Sequence, residues 1–373
     1  MKKIGIITMH RVLNYGSSLQ AYALYLKIKH IGYDCEIIDY QYPNEYHQNE
    51  KNKKTIKDRT LFFLLRVAFF ILYRGRLQKK RFGDFFRKNI VLTRNYENRE
   101  ALYSNPPKCD IYMAGSDQVW NPNSMKGDSV FFCDFAGNNK KVSFASSFSV
   151  SSIPTEYEEI YKKNLASFAH IGVRESNGVT MVNSLVNKEA TEVCDPTLLL
   201  TKNEYQALAG ESEIKIKKPY ILVYALSYAF KPYPALDSVV ENIRKQTKMN
   251  VVYLHVNSID HYHIGHSITS AGPNEFVRLF MDASFIVTSS FHGTAFAINF
   301  ERPFYSIIPN EATDDSRIYS LLKKVGAETR CVMSSQKIDS DLSIEMDYKN
   351  VSERLSKYRE ESIAFLKKEL SSE

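Results

Sequence analysis

Short apolar runs, each followed by a polar loop and then by apolar residues at helical spacing, recur along the whole chain. No other feature of the sequence constrains the fold as strongly. The first unit is "IGIITM" (4–9), then the polar, glycine-containing turn "NYGSS" (14–18). "LQAYALYLKIKHIG" (19–32) follows, with Leu19, Tyr22, Ala23 and Leu26 on one helical face, and then "CEIIDY" (35–40). Strand, helix, strand in that order is a βαβ unit with a right-handed crossover. Strand-and-loop segments recur at 110–121, 141–149 and 170–179, and "EVCDPTLLL" (192–200) closes the first series. A second series starts at "PYILVYALS" (219–227). It continues through a charged helix (235–247), "NVVYLHV" (250–256), a helix capped by Asn274 (274–283), "SFIVTSS" (284–290), a helix from "GTAFAINF" (293–300), and "PFYSII" (303–308). Amphipathic helices follow at 316–326 and 351–370. With 373 residues the chain is too long for one ordinary core. The pattern therefore predicts two α/β domains with parallel sheets. The first covers 1–205 and carries an insertion at 51–81; the second covers 215–335; a C-terminal helix over 350–370 packs back on them. In such sheets ligands bind beyond the carboxyl ends of the strands, so the loops there are the candidate site.

The formal net charge of +7 suits an anionic small molecule, an anionic membrane surface or nucleic acid, and does not choose among them. Five scattered cysteines with no CxxC pair read as reduced thiols of a cytosolic protein. The N-terminal apolar run is too short for a signal peptide and reads as a strand. Residues 44–60 read as an exposed loop. Residues 61–73, "LFFLLRVAFFILY", are apolar apart from Arg66 and too short to span a bilayer. Lysines and arginines flank them on both sides, so 51–81 is either a buried helix with solvated basic flanks or an interfacial helix on anionic lipid.

Several residues at strand ends could carry chemistry. His292 lies between a strand and a helix start, where an imidazole can handle a proton or pair with a phosphate oxygen, or can simply close a buried turn. Ser290, Gly293 and Thr294 surround it, and Gly293 would let backbone approach a ligand. Arg174 in "GVRES" offers a planar fork for carboxylate or phosphate, or forms an ion pair with Glu175. In "GSDQVWN" (115–121), Ser116, Asp117, Gln118, Trp120 and Asn121 combine polar groups with an aromatic wall suited to a sugar. The alternative there is a helix cap with Trp120 in the core. Asn14, Tyr15 and Gly16 could present amides to an anion, or form only a tight turn. No P-loop, HExxH, GxSxG or dinucleotide motif occurs. "HYHIGH" (261–266) is the one metal-like cluster and reads as a solvated loop, so no metal is expected.

Taken in order, "NYGSSLQAYAL" (14–24), "GSDQVWNP" (115–122), "SFASSF" (143–148), "GVRESNGV" (172–179), "CDPTLLL" (194–200), "TSSFHGTAFAI" (288–298) and "RIYSLLKKVG" (317–326) resemble the polysaccharide pyruvyl transferase family. The resemblance implies two Rossmann-like domains in a GT-B-like arrangement, with an acceptor side in the first, a donor side in the second and a cleft between. It implies that phosphoenolpyruvate, as co-substrate and with no cofactor, gives its enolpyruvyl carbon to sugar hydroxyls and releases phosphate. Arg174 and His292 match the family's donor-binding arginine and its histidine before glycine. Ser290 stands where some members carry an arginine and Ser289 where others carry an aspartate. Serine supplies no charge, so Arg174 or a lysine elsewhere must do more of the anion binding.

The expected function is transfer of pyruvyl ketals to a cell-surface polysaccharide or lipid-linked oligosaccharide, in the cytoplasm at the inner face of the membrane, with no nucleic-acid partner. A GT-B nucleotide-sugar glycosyltransferase and a non-catalytic glycan- or anion-binding scaffold are the alternatives.

Overall fold

The computed structural model describes residues 2–43, 74–227, 230–255, 265–310 and 316–371. The loop expected at 44–60, the apolar segment 61–73 and most of the histidine cluster lie outside the described residues.

Two parallel sheets carry the molecule. The first has seven strands: β1 (Lys3–Ile7), β2 (Asp34–Tyr40), β3 (Leu92–Tyr96), β4 (Ile111–Ala114), β5 (Lys140–Ser146), β6 (His170–Val173) and β7 (Ala190–Glu192). Their spatial order is β3-β2-β1-β4-β5-β6-β7. The second sheet has β8 (Tyr220–Tyr224), β9 (Asn250–Leu254), β10 (His266–Ile268), β11 (Phe285–Thr288), β12 (Phe304–Ile308) and β13 (Cys331–Met333), in the order β10-β9-β8-β11-β12-β13. Each order reverses direction once, between β1 and β4 and between β8 and β11. Those reversals open crevices at the carboxyl ends of the strands. The loops that leave β4 and β11 are "GSDQVWN" and "SSFHG".

Local chemistry sets the helix starts. The helix Tyr15–Ile31 begins four residues before the apolar pattern suggests. The Asn14 carboxamide accepts from the amides of Gly16 (2.9 Å) and Ser17 (3.3 Å), so "YGSS" is the first helical turn and not a separate loop. Gly32 closes the helix at φ 102°, a conformation that favours glycine. The helix Pro273–Asp282 is capped at Gly272 and not at Asn274, because the Glu275 carboxylate accepts from the Gly272 amide at 2.8 Å. The short strands β3, β7, β10 and β13 are absent from the sequence reading; their apolar runs are too brief to show a period.

Contacts from both halves hold the sheets together. Tyr15, which the sequence places on the acceptor side, is fully buried between Phe82 and Phe276 (ring centroids 5.3 and 5.0 Å). Its hydroxyl shares its proton between the carbonyl oxygens of His255 and Ala271 and accepts from Gln78, and its full burial takes it out of reach of a sugar. The Asn299 amide donates to the carbonyls of Thr197 and Leu200. The C-terminal helix Tyr348–Ser371 bridges the same seam: Arg359 donates to Leu198 O and Asn299 Oδ1, and the Ser362 hydroxyl accepts from the Cys194 amide.

Trp120 is also a core residue and not a sugar platform. It is fully buried, stacks on Phe132 at 5.3 Å and packs against Phe148 and Phe168. Its indole N–H donates to Phe131 O. Aromatic side chains enclose the ring, because an indole that size is worth more in the core than at a wet surface. Trp120→Ala should lower the unfolding free energy by about 3–5 kcal/mol in a urea titration. A loss below about 1 kcal/mol would contradict this placement.

Candidate active site

The two crevices face each other, and charged side chains from both halves meet at one carboxylate. Asp195 follows β7 and is fully buried. Its Oδ1 accepts from the Thr197 amide (3.0 Å) and hydroxyl (2.7 Å). Its Oδ2 accepts from Arg174 Nη1 at 2.9 Å and from the Ser116 hydroxyl at 3.4 Å. The same oxygen lies 3.5 Å from His292 Nε2, which comes from the other half. Burial alone pushes the Asp195 carboxyl up. His292, Arg174 and the Thr197 amide outweigh it, and the net shift is far below the usual carboxylate range.

Arg174 follows β6 and is 5% exposed. It is the buried centre of an ion-pair cluster, not a surface pair. Glu175 Oε2 lies 3.8 Å from its Nε, and its guanidinium stacks on the Phe291 ring at 4.7 Å. Burial favours the neutral form, but Asp195, Glu175 and Asp117 together hold it charged. Its Nε and Nη2 nonetheless make no hydrogen bond, and neither does Nε2 of His292. Buried donors of this kind cost free energy unless an acceptor meets them.

His292 lies in the first turn of the helix Phe291–Asn299, 8% exposed. Its ring occupies the space over Gly16: a Cβ there would stand 2.0 Å from Nδ1. Gly16 thus does not present its amide to a ligand; it leaves room for an imidazole from the opposite half. The neighbouring calls resolve in a similar way. Ser290 caps the helix by accepting from Gly293 N, so it supports His292. Gly293 is tight against the chain itself, since a Cβ there would meet Thr288 Oγ1 at 2.2 Å. Thr294 is fully buried and bonds Ser290 O and the Ser306 hydroxyl, which takes it out of donor contact. Ser289 accepts from the Leu226 amide.

In the first half, Asp117 takes φ 76° after β4 and is 6% exposed. Aspartate tolerates this left-handed conformation better than most residues. The bend turns its carboxylate inward. Oδ2 accepts from the Ser17 hydroxyl at 2.5 Å and Oδ1 from the Gln118 amide at 2.9 Å. Burial raises its affinity for a proton, but His292, Arg174, Ser17 and Arg317 prevail and hold the carboxyl below its ordinary range. Ser116 is fully buried behind Asp195, and Asn121 caps the short helix Pro122–Met125; both support the site and do not face it. Asn14 is the cap described above. Gln118 is half-buried and reaches Arg317. The outer end of its amide lies 3.2 Å from Arg317 Nη2 and 3.3 Å from Nη1, and accepts from both with its oxygen on that side.

The structure thus brings Arg174, His292 and Asp117 together, and moves Tyr15, Trp120, Ser116 and Thr294 into supporting or core roles. It adds Asp195, Ser17, Phe291 and Arg317. Asp195 and Arg317 lie in "CDPTLLL" and "RIYSLLKKVG", so proximity to those motifs was the available signal. Among the described residues no three histidine, cysteine or acidic side chains are placed to hold a metal, and no helix is long and apolar enough to cross a membrane.

Two parallel Rossmann-like sheets with a charged seam between them define a GT-B-type fold. UDP-GlcNAc 2-epimerase from Methanocaldococcus jannaschii has the same architecture: TM-score 0.50 and 12% identity over 96% of this chain and 92% of that one. The Neisseria meningitidis UDP-GlcNAc 2-epimerase bound to UDP-GlcNAc aligns at TM-score 0.45 and 10% identity, covering 100% and 95%. UGT89C1 of Arabidopsis thaliana, complexed with UDP-L-rhamnose, aligns at 0.48 and 10%, covering 100% and 99%. No curated protein matches the chain. The family model for polysaccharide pyruvyl transferase matches residues 14–311, and the chain belongs to that family, a family of transferases.

Two variants test the seam. Gly16→Ala should push the His292 ring off Asp195, cost about 1–3 kcal/mol of stability in a denaturant titration and depress pyruvyl transfer. Unchanged activity would show that the ring position is immaterial. Asp195 has a depressed carboxyl in the folded state. Its contribution is therefore full above about pH 4 and is lost as pH falls. Asp195→Asn should lower stability at pH 7 by about 3–5 kcal/mol, because Arg174 loses its partner. The variant should also show a shallower decline than the wild type between about pH 5 and pH 2. Parallel acid limbs would refute the assignment.

Proposed function

We propose that this chain transfers the enolpyruvyl carbon of phosphoenolpyruvate to two hydroxyls of one sugar in a cell-surface polysaccharide or its lipid-linked precursor. The observation that supports this most is Arg174: a buried, permanently charged fork whose Nε and Nη2 have no hydrogen-bond partner, beside a buried imidazole in the same condition. Unpaired donors on a buried cation suit a small carboxylate or phosphate ligand.

The reaction needs one anion-binding fork and one proton carrier. His292 protonates C3 of the donor, which makes C2 electrophilic. A sugar hydroxyl attacks C2 and gives up its proton. The C2–O bond to phosphate breaks, the second hydroxyl closes on C2, and its proton leaves. Two hydroxyl protons are lost, one is gained at C3, and one goes with the departing hydrogen phosphate, so protons balance. Asp195 positions both partners: it holds Arg174 by a hydrogen bond and faces the imidazole edge at 3.5 Å. Asp117 and Gln118 lie on the first-half side of the seam, where the acceptor hydroxyls would enter. The basic and apolar sequence at 51–81 would bring the protein to a lipid-linked acceptor at the inner membrane face.

Purified protein should release phosphate from phosphoenolpyruvate only when a glycan acceptor is present. His292→Ala should reduce that release at least about a hundredfold, the scale of a lost general acid. Calorimetry with UDP should give no saturable heat where phosphoenolpyruvate does. Acceptor-dependent release that persists in His292→Ala, or tight UDP binding, would overturn the reading.

A further inference from the structure

We propose that the amino-terminal end of the second sheet is a docking surface for anionic lipid, formed by Lys215, Lys217, Arg244, Lys245 and Lys248 around one cavity. The surface is separate from the His292 crevice and does not depend on which reaction that crevice performs.

Its place is the first observation. A cavity of about 650 Å³ lies against Asn250 at the start of β9 and His266 at the start of β10. The strands of this sheet run parallel, and His292 follows the carboxyl end of β11. The cavity and the crevice therefore lie at opposite ends of the sheet, and a membrane held at the cavity leaves the crevice unobstructed.

Charge is the second observation. Lys215 and Lys217 reach the cavity from the segment before β8, and Arg244, Lys245 and Lys248 from the end of the helix Ala235–Thr247. All five are exposed. Among the described residues, Glu241 is the only carboxylate ion-paired with any of them, at 2.9 Å from Arg244 Nε and 3.8 Å from Lys245 Nζ. Five positive charges against one negative leave a surplus of four. Lys218 next door is spent on Asp282 at 2.7 Å.

Helix electrostatics explain only part of this cluster. The carboxyl end of a helix favours nearby cations, which accounts for Arg244 and Lys245. Lys215 and Lys217 belong to a different segment. In "EIKIKK" (213–218), Ile214 and Ile216 are half-buried against the core, which leaves the two lysines on one outer side. Lys248 takes φ 57°, a conformation that favours glycine, so charge stands there at some cost to the backbone.

The walls indicate the partner. Ile216, Met249 and Val251 stand among the cations. Lysines beside apolar side chains match the boundary of headgroup and acyl chain, with ammoniums at the phosphates and methyl groups below them. Nucleic acid is matched less well: single strands stack on aromatic rings, and no phenylalanine, tyrosine or tryptophan lines the cavity.

Cosedimentation of the full chain with vesicles tests this. The wild type should bind phosphatidylcholine vesicles that contain about 30% phosphatidylglycerol, and lose them as salt rises. A variant carrying Lys215→Gln, Lys217→Gln and Lys248→Gln together should bind them about 100-fold more weakly, roughly fivefold for each lysine. Its thermal midpoint should match the wild type, which guards against a folding defect. Lys367→Gln with Lys368→Gln, a pair of exposed lysines on the C-terminal helix, should stay within about twofold of the wild type, which separates a surface from net charge alone. Calorimetry with soluble glycerol phosphate should give no saturable heat at the cavity. Four results would overturn the proposal: no binding of the wild type to anionic vesicles, an undiminished affinity in the triple variant, saturable glycerol phosphate binding that the triple variant loses, or tighter lysine-dependent binding to single-stranded RNA than to vesicles.

Discussion

One buried carboxylate organises the seam. Asp195 accepts from Thr197 on one side and from Arg174 on the other, and the same oxygen that holds Arg174 faces His292 from the opposite half. A carboxylate enclosed to this degree is tolerable only because every side of it meets a donor or a cation. Arg174 depends on it in turn. The fork, the imidazole and the carboxylate therefore form one unit, assembled only when the two halves are docked. Tyr15, Asn299 and Arg359 supply that docking through bonds to main-chain oxygens across the seam.

The unit is crowded with opposing charge. Three carboxylates and two guanidiniums gather around one histidine, and each carboxyl that shifts is moved down by its neighbours in spite of burial. Such a cluster adds little net stability for its cost in lost hydration. Its value lies in holding polar groups in fixed directions before a ligand arrives. Small residues complete it: without a side chain at Gly16 the imidazole can sit against the end of the first helix.

Much of the fold was legible in the sequence because its signals are local. The runs at 4–9, 35–40, 219–227 and 284–290 all became interior strands of their sheets, since a strand covered on both faces is mostly apolar. The helix at 235–247 has the bounds its pattern suggests. Edge strands such as β7 and β13 were not legible, because a short strand at a sheet margin needs little apolar character. Capping chemistry moved two helix starts, at Asn14 and Gly272, where a side-chain acceptor outweighed the apolar pattern. The site was legible in outline only. Arg174 and His292 were found through their motifs and their places at strand ends. Asp195 and Arg317 were in view within quoted motifs and carried no assigned role, because a polar residue shows its partners only in three dimensions.

Read alone, the sequence determined the α/β class, the two series of strands and the loops in which reactive side chains had to lie. Period and strand-end position are properties of neighbouring residues. The tertiary structure decided which of those side chains face one another. Ser17 meets Asp117 100 residues away, and His292 meets Gly16 from the other half of the chain. It also decided that Trp120 and Tyr15 belong to the core. Burial and pairing depend on contacts between distant segments, and no local pattern carries that information.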